Sequence, residues 1–317
     1  MKENHEFKLF GDKTLEQKLM GHKRDWAQYN KQLVNRGKIN FWIKPEVFKN
    51  WKARKRKKAG RPFEYGDEVI EAMSYIRFKF HQSLRETEGF FESLICLKGI
   101  KLQVPSYTQF CRRMRHLKLP QELLSRRGVT DIVLDTTGLK VYGEGEWRAE
   151  KYGGKKSWKK LHLALDLHSG KLIFAEISHE HMHDTAYLEQ VLQRTNKRKG
   201  RVLIDGIADS LRCYELVRRY KKDLVTPPKT GAVFRKESGF KKRNEAIKLI
   251  LGLGNDRIAR SLWAKLVGYN RRVLIESMVS RWKRVLGGDL RSRCEKRKDI
   301  EVGIKSMMIN KMIDAAA

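Results

Sequence analysis

Apolar positions recur at helical spacing in the N-terminal third of the chain and then give way to strand-like runs. Over Asp67–Phe80, Val69, Ile70, Met73, Ile76 and Phe80 fall on one side of a helix. Ser83-Leu-Arg-Glu86 has the form of a capping box, opening a second helix with Leu84, Phe90, Phe91, Leu94 and Ile95 on one side. After Gly99 and Pro105, Ser106-Tyr-Thr-Gln109 repeats that form ahead of Phe110–Leu117. Three short helices, the last one basic, suggest a helix-turn-helix type unit with Gln109, Arg112, Arg113 and Arg115 facing a DNA groove. A helical connector with a solvated basic face has the same pattern.

From Thr130 the period changes. Asp131–Thr137 reads as a buried strand, and Leu161–Leu167 and Lys171–Ile177 as a hairpin about His168-Ser-Gly170. A helix over Thr185–Arg194, a strand Arg201–Asp205, a helix from about Asp209 to Tyr220 and a strand Asp223–Thr226 follow. Strands followed by alternating helix and strand predict a mixed sheet covered by helices. The last long helix is expected from about Asn270 to Leu286, whereas Gly231–Lys265 has no assignable pattern.

Charge narrows the classes. The 317 residues hold 69 Lys+Arg against 37 Asp+Glu, a net charge of +32, yet 40% are hydrophobic. A folded chain with that surplus needs a polyanion partner, most simply nucleic acid. An unbroken apolar run of about 18 residues is lacking, which excludes a membrane-spanning helix, and Met1-Lys-Glu-Asn-His does not resemble a secretory leader. Four widely spaced cysteines without a Cys-x-x-Cys pair fit a reducing cytoplasm. Lys49–Arg61 carries eight basic residues in thirteen, with Lys57, Lys58 and Arg61 around a Gly-Arg-Pro core. Such a segment lies in a narrow minor groove, binds phosphates generally or is a solvated linker. Arg148–Lys160 has six basic residues, Lys155, Lys156 and Lys159 among them, interleaved with Tyr152 and Trp158 and preceded by Trp147. It suits a DNA-contacting loop or a solvated hairpin tip.

Against this background the placed acids are informative. Asp135 and Asp205 each end an apolar strand, where an ionised carboxylate is costly unless it is paired or binds a metal. Taken singly, each also reads as a turn or cap residue. Tyr269, Arg272 and Lys283 lie at −7, −4 and +7 from Glu276, within about 60° on one helical face. By geometry alone, a solvated stripe of helical ion pairs reads the same way. His179, His181 and His183 alternate and read as structural, Asp184 and Asp209 as helix caps, and Asp166 as a hairpin residue and reserve metal ligand.

The spacing Tyr269-x2-Arg272-x3-Glu276-x6-Lys283 resembles the Y-R-E-K motif of bacterial insertion-sequence transposases. Asp135 in IVLDTTG and Asp205 in VLIDG match the first two acids of the Asp-Asp-Glu set, at intervals of 205 − 135 = 70 and 276 − 205 = 71. The group most resembled is the insertion-sequence-five type of the insertion-sequence-four superfamily. Tyr29–Ile43 and the region of His183-Asp184 add to the likeness, which runs from about residue 25 to 312. One departure is Ala208, where family members usually carry an aromatic residue.

The resemblance implies an α/β fold: a ribonuclease-H-like mixed sheet flanked by helices, preceded by a mostly helical DNA-binding region. It divides the chain into a basic arm at 1–62, a helical DNA-binding domain at 63–125 and a catalytic domain at 126–317. Asp135, Asp205 and Glu276 are the implied catalytic and metal ligands, holding two Mg²⁺ or Mn²⁺ ions. Tyr269, Arg272 and Lys283 are the implied handlers of terminal DNA. The implied activity is cleavage at terminal inverted repeats and transfer of the 3′-hydroxyl end into target DNA. A homodimer or larger assembly on double-stranded DNA and a bacterial, nucleoid-associated location go with it. A ribonuclease-H-like nuclease and a non-catalytic DNA-binding regulator are the alternatives.

Overall fold

A computed structural model describes residues 25–54, 62–117, 131–141, 151, 153, 158–179, 182–195 and 198–315. N-terminal helices come first: α1 (Trp26–Asn35), α2 (Ile39–Trp42), α3 (Glu46–Lys49), α4 (Asp67–Lys79), α5 (Leu84–Leu97) and α6 (Tyr107–Met114). The sheet follows as β1 (Ile132–Val141), β2 (Trp158–Asp166) and β3 (Leu172–His179), then α7 (Leu188–Gln193), β4 (Gly200–Leu203), α8 (Leu211–Arg219) and β5 (Lys222–Val225). The chain continues through α9 (Lys241–Gly252), α10 (Arg257–Leu266), α11 (Val273–Leu286), β6 (Asp289–Leu290) and α12 (Glu295–Asp314).

The sheet order is β3-β2-β1-β4-β5, with β6 beside the far end of β1. β1–β3 form an antiparallel meander, and β4 and β5 run parallel to β1. This is the ribonuclease-H-like arrangement that the sequence pattern and its resemblance predict. Alternation along the strands divides the core. Val133, Leu163, Leu203 and their neighbours face one apolar cluster with α4–α6, α11 and α12. Ile132, Leu134, Val202 and Ile204 face a second with α7 and α8.

The first cluster runs continuously from Trp42, Val47 and Trp51 through Ile70 and Phe110 to Trp282 and Met312. The helical region and the sheet therefore share one core, and the segment expected to be a basic arm contributes buried tryptophans to it. Both anticipated capping boxes form, at Ser83/Glu86 and Ser106/Gln109.

Other expectations change. The last long helix is α12, which is buried around most of its circumference and so lacks the amphipathic stripe that a sequence pattern reads. Gly231–Lys265 contains α9 and α10. Asp209 is not the α8 cap: Ser210 is, accepting from the Cys213 N–H, while Asp209 pairs with Arg243 at 2.9 Å. The helix expected from Thr185 begins as a 3-10 turn at Asp184–Tyr187, whose N-cap, His183, makes no side-chain cap bond.

Candidate active site

The site is built on the register of β1 and β4. Ile132 pairs with Val202 and Val133 with Leu203, an offset of 70 residues. Alternation along β1 puts Asp135 on the face of Val133, beneath α11, and Asp205, two residues past the last paired residue of β4, lies close enough to act on its charge. Asp135 lies in the fourth position of a ten-residue strand, not at a strand end as the apolar run suggested. Asp205 follows β4 and accepts the Ile207 N–H at 3.2 Å, while Thr226 Oγ1 donates to its carbonyl at 2.6 Å.

Two contacts not read from the sequence hold this register. Asp131, just before β1, takes Arg201 N at 2.8 Å, Nε at 3.0 Å and Nη2 at 2.5 Å. Arg201 Nη1 also donates to the Val267 carbonyl at 3.1 Å. Gly268 follows with φ +74°, and a Cβ there would lie 2.8 Å from Arg201 Nη1. Glycine alone meets both demands, and it turns the chain into the 3-10 turn Tyr269–Arg272 that feeds α11. The helix expected from Asn270 thus starts at Val273, and Tyr269 is set by the turn.

Ile275, Met278, Trp282 and Leu286 anchor α11 to the sheet. Arg272 then bridges two acids: Nη2 lies 3.2 Å from Asp135 Oδ2 and Nη1 2.6 Å from Glu276 Oε1. Asp135 Oδ1 also accepts the Thr136 N–H at 3.0 Å. Burial, with Asp205 and Glu276 nearby, holds the Asp135 carboxyl above its ordinary range, although Arg272 and the Thr136 N–H oppose this. Burial likewise raises the Tyr269 hydroxyl, as do all three acids, with Arg272 opposing. The Tyr269 ring packs 5.6 Å from that of Trp263. Lys283 is exposed two turns beyond Glu276.

The acids offer oxygen donors only, which suits a hard divalent cation. Burial, and after it the nearby Asp205 and Glu276, disfavour the charged form of Asp135, and a bound cation would relieve that cost. Among the described residues no three His, Cys, Asp or Glu side chains converge into a ready metal cage. Arg272 supplies the positive charge between Asp135 and Glu276, so the fit lies in donor chemistry and placement over one sheet face.

Other candidates divide by burial. Arg112 on α6 and Arg115 at its C-terminal cap are exposed. Arg113 is not a groove-facing residue: it is 7% exposed, bound to Asp67 Oδ1 at 2.5 Å and the Tyr65 carbonyl at 3.2 Å, and stacked on Phe63. Gln109 is held by the cap and by Glu64 Oε2 at 3.1 Å. Lys159 does not face outward as a DNA-contacting base either: it is buried beside Glu295 at 3.2 Å and His179. Lys57, Lys58, Arg61, Lys155, Lys156, Trp147, Tyr152 and His181 lie outside the described residues. Asp166 is the hairpin residue expected, accepting from His168, Ser169 N and Ser169 Oγ at the opposite end of β2 from Trp158.

The sheet thus brings two aspartates together beneath a helix bearing a glutamate, as an Asp-Asp-Glu (DDE) enzyme requires. A family model described as "Transposase DDE domain" matches residues 127–311, and a second with that description matches 34–144. The chain belongs to this transposase family, whose chemistry depends on a divalent metal. Among solved structures, a cryo-EM structure of a piggyBac transposase synaptic complex with hairpin DNA is similar at 10% identity and TM-score 0.41, over 89% of this chain and 74% of that chain. Among the described residues no helix is long and apolar enough to cross a membrane.

Proposed function

We propose that the chain is an insertion-sequence transposase of the insertion-sequence-five type, which cuts element ends and joins their 3′-hydroxyls to target DNA. The observation that carries this reading is the placing of Asp135 on β1 near Asp205, just beyond the end of the parallel neighbour β4, with Glu276 tied to Asp135 through Arg272. Asp135, Asp205 and Glu276 are the ligands for Mg²⁺ or Mn²⁺, two ions per site. When bound, such ions activate an attacking oxygen and relieve charge on the leaving one.

The remaining side chains act on DNA. The Arg272 fork, when released from the acids, matches a phosphate, and Lys283 adds a point charge on the same helix. Tyr269, backed by Trp263, offers a ring for stacking on a terminal base. Arg112 and Arg115 contact the double-stranded terminal repeats, as do Lys57, Lys58, Arg61, Lys155 and Lys156. Two ends are held by a homodimer or larger assembly.

The test is a plasmid carrying inverted repeats, incubated with Mg²⁺ and a target. End nicking and joined products are expected, both lost in Asp135→Asn and Glu276→Gln with DNA binding retained. Full activity in either variant overturns the assignment. Hydrolysis without joining supports the nuclease alternative, and end binding without metal-dependent cleavage supports the regulator.

A further inference from the structure

A cleft of about 510 Å³ opens where the α4–α5 turn and α6 meet the segment after β6. Lys140 and Val141 pair with β6, so this segment departs from the far end of β1, about 20 Å along the strand from Asp135. Five arginines line the cleft: Arg77, Arg85, Arg291, Arg293 and Arg297. Its lining contains no carboxylate among the described residues. The acids of the surrounding segments lie outside the lining and already have partners, Arg291 among them. Glu301 holds Lys305 at 2.9 Å and the N–H groups of Arg291 and Ser292. Asp289 lies 3.9 Å from Arg291 Nε, Glu86 caps Ser83, and Glu88 accepts the Tyr107 N–H at 2.7 Å.

Arg291 donates to the His81 and Gln82 carbonyls and Arg85 to the Tyr107 hydroxyl at 3.4 Å, but Arg77 and Arg297 each keep a buried N–H without an acceptor. Arg77 is 7% exposed, yet its Nε has no hydrogen-bond partner, and its Nη1 lies 3.8 Å from the weak acceptor Met114 Sδ. Arg297 Nε is also buried without a partner, and its Nη1 meets Cys111 Sγ. Burial, and next to it the charges of Arg291 and Arg297, push the Arg77 guanidinium below its usual range despite Glu301. A buried guanidinium N–H without an acceptor is costly, and several cations in one cleft add repulsion. Both costs are removed by one anion with several acceptor oxygens, and the planar guanidinium fork fits phosphate geometry.

We propose that this cleft is a phosphate-binding site, distinct from the Asp-Asp-Glu site, which takes a phosphate oxyanion from the DNA backbone or from a free phosphorylated small molecule. Its volume lies within the usual range of small-ligand sites. The exposed Arg112 on α6 and Arg115 at its C-terminal cap neighbour the lining residues Cys111 and Met114 in sequence and extend the positive surface outward. Recognition here uses none of the three acids, so the site stands or falls separately from the cleavage chemistry.

The test titrates the full chain with inorganic pyrophosphate in EDTA by calorimetry, so that metal binding plays no part. Saturable binding is expected. The double variant Arg293→Gln/Arg297→Gln retains Arg77 in the core and is expected to bind at least about tenfold more weakly, the loss of one charge-assisted hydrogen bond or more. Arg218→Gln/Arg219→Gln, an equal charge change on exposed α8 positions, is expected to bind like wild type. Melting temperatures confirm that each variant is folded. Displacement of pyrophosphate by duplex DNA identifies the backbone as the source, and simultaneous binding of both identifies a free anion. No saturable binding, or equal weakening in both double variants, overturns the site.

Discussion

Arg272 and Asp135 stand 137 positions apart in sequence and 3.2 Å apart in space, and the same guanidinium holds Glu276 at 2.6 Å. One side chain thus fixes the spacing of two acids that arrive on different elements. Arg272→Met is expected to lower end nicking roughly 10²-fold, the scale for losing a preorganised charged donor. Stability is expected to fall by about 1–2 kcal/mol, because both residues are only one-fifth exposed. Arg272→Lys does not restore nicking, since an ammonium cannot span both carboxylates. Single-turnover cleavage and urea denaturation measure the two effects.

Asp135 has the opposite relation to pH from an ordinary salt-bridged acid. Its folded-state pKa is raised, chiefly by burial, above the ordinary 3.8. The folded state then binds the proton more tightly than the unfolded chain, so stability is lost as pH rises from the ordinary range through the raised value. Asp135→Asn has no proton to lose there. Its melting temperature in metal-free buffer is expected to gain on wild type across that window and hold the gain to neutral pH. Parallel profiles for the two proteins count against a frustrated carboxylate.

Arg113 and its neighbours on α6 separate stability from DNA binding. Arg113→Met removes the contacts of Arg113 to Asp67 and to the Tyr65 carbonyl, at a cost of about 1–3 kcal/mol, with little change in DNA affinity for the folded fraction. Arg112→Gln/Arg115→Gln is expected to leave stability within about 0.5 kcal/mol and to weaken DNA binding. The slope of log affinity against log salt is expected to fall by about 2, roughly one unit for each phosphate that is no longer neutralised. Denaturation and fluorescence anisotropy at several salt concentrations test both.

Glu301 and Lys305 form a pair whose side chains are 0% and 1% exposed. Burial works to raise the Glu301 carboxyl, but Lys305 and the N–H groups of Arg291 and Ser292 outweigh it and hold it below the ordinary 4.5. The stability from this group is present above the ordinary range and is lost as pH falls through the depressed value. Glu301→Gln strands the Lys305 charge and is expected to cost about 3–5 kcal/mol at neutral pH. Its acid limb is expected to be flatter than that of wild type.

What the sequence made legible followed from short-range physics. The meander, β4, β5 and both capping boxes are local patterns of period two or of cap chemistry. Asp135 and Asp205 stood out because acids are scarce on apolar runs, and Glu276 because its spacing from Tyr269, Arg272 and Lys283 fitted a motif. Arg113 and Lys159 look like any other surface base until Asp67 and Glu295 arrive from distant segments. The clamp of Arg201 on Asp131 and the left-handed turn at Gly268 are tertiary, with no periodicity to announce them. Ala208, read as a missing aromatic contact, is fully buried in the second apolar cluster with Tyr187 packed against it. Helix α12 escaped notice because it carries charge on faces that the fold then buries.

That helix has a temporal consequence. Asn310 gives both its side-chain donor and acceptor to Leu172, and the Met312 carbonyl accepts Arg36 Nη2 across 276 positions. Contacts of such separation close late in folding, after the loop entropy between them has been overcome. A nascent chain that has released β1 and β4, but not yet residues 295–314, holds its aspartates on an unfinished core. The polypeptide is therefore expected to become competent to cut only once α12 has left the ribosome.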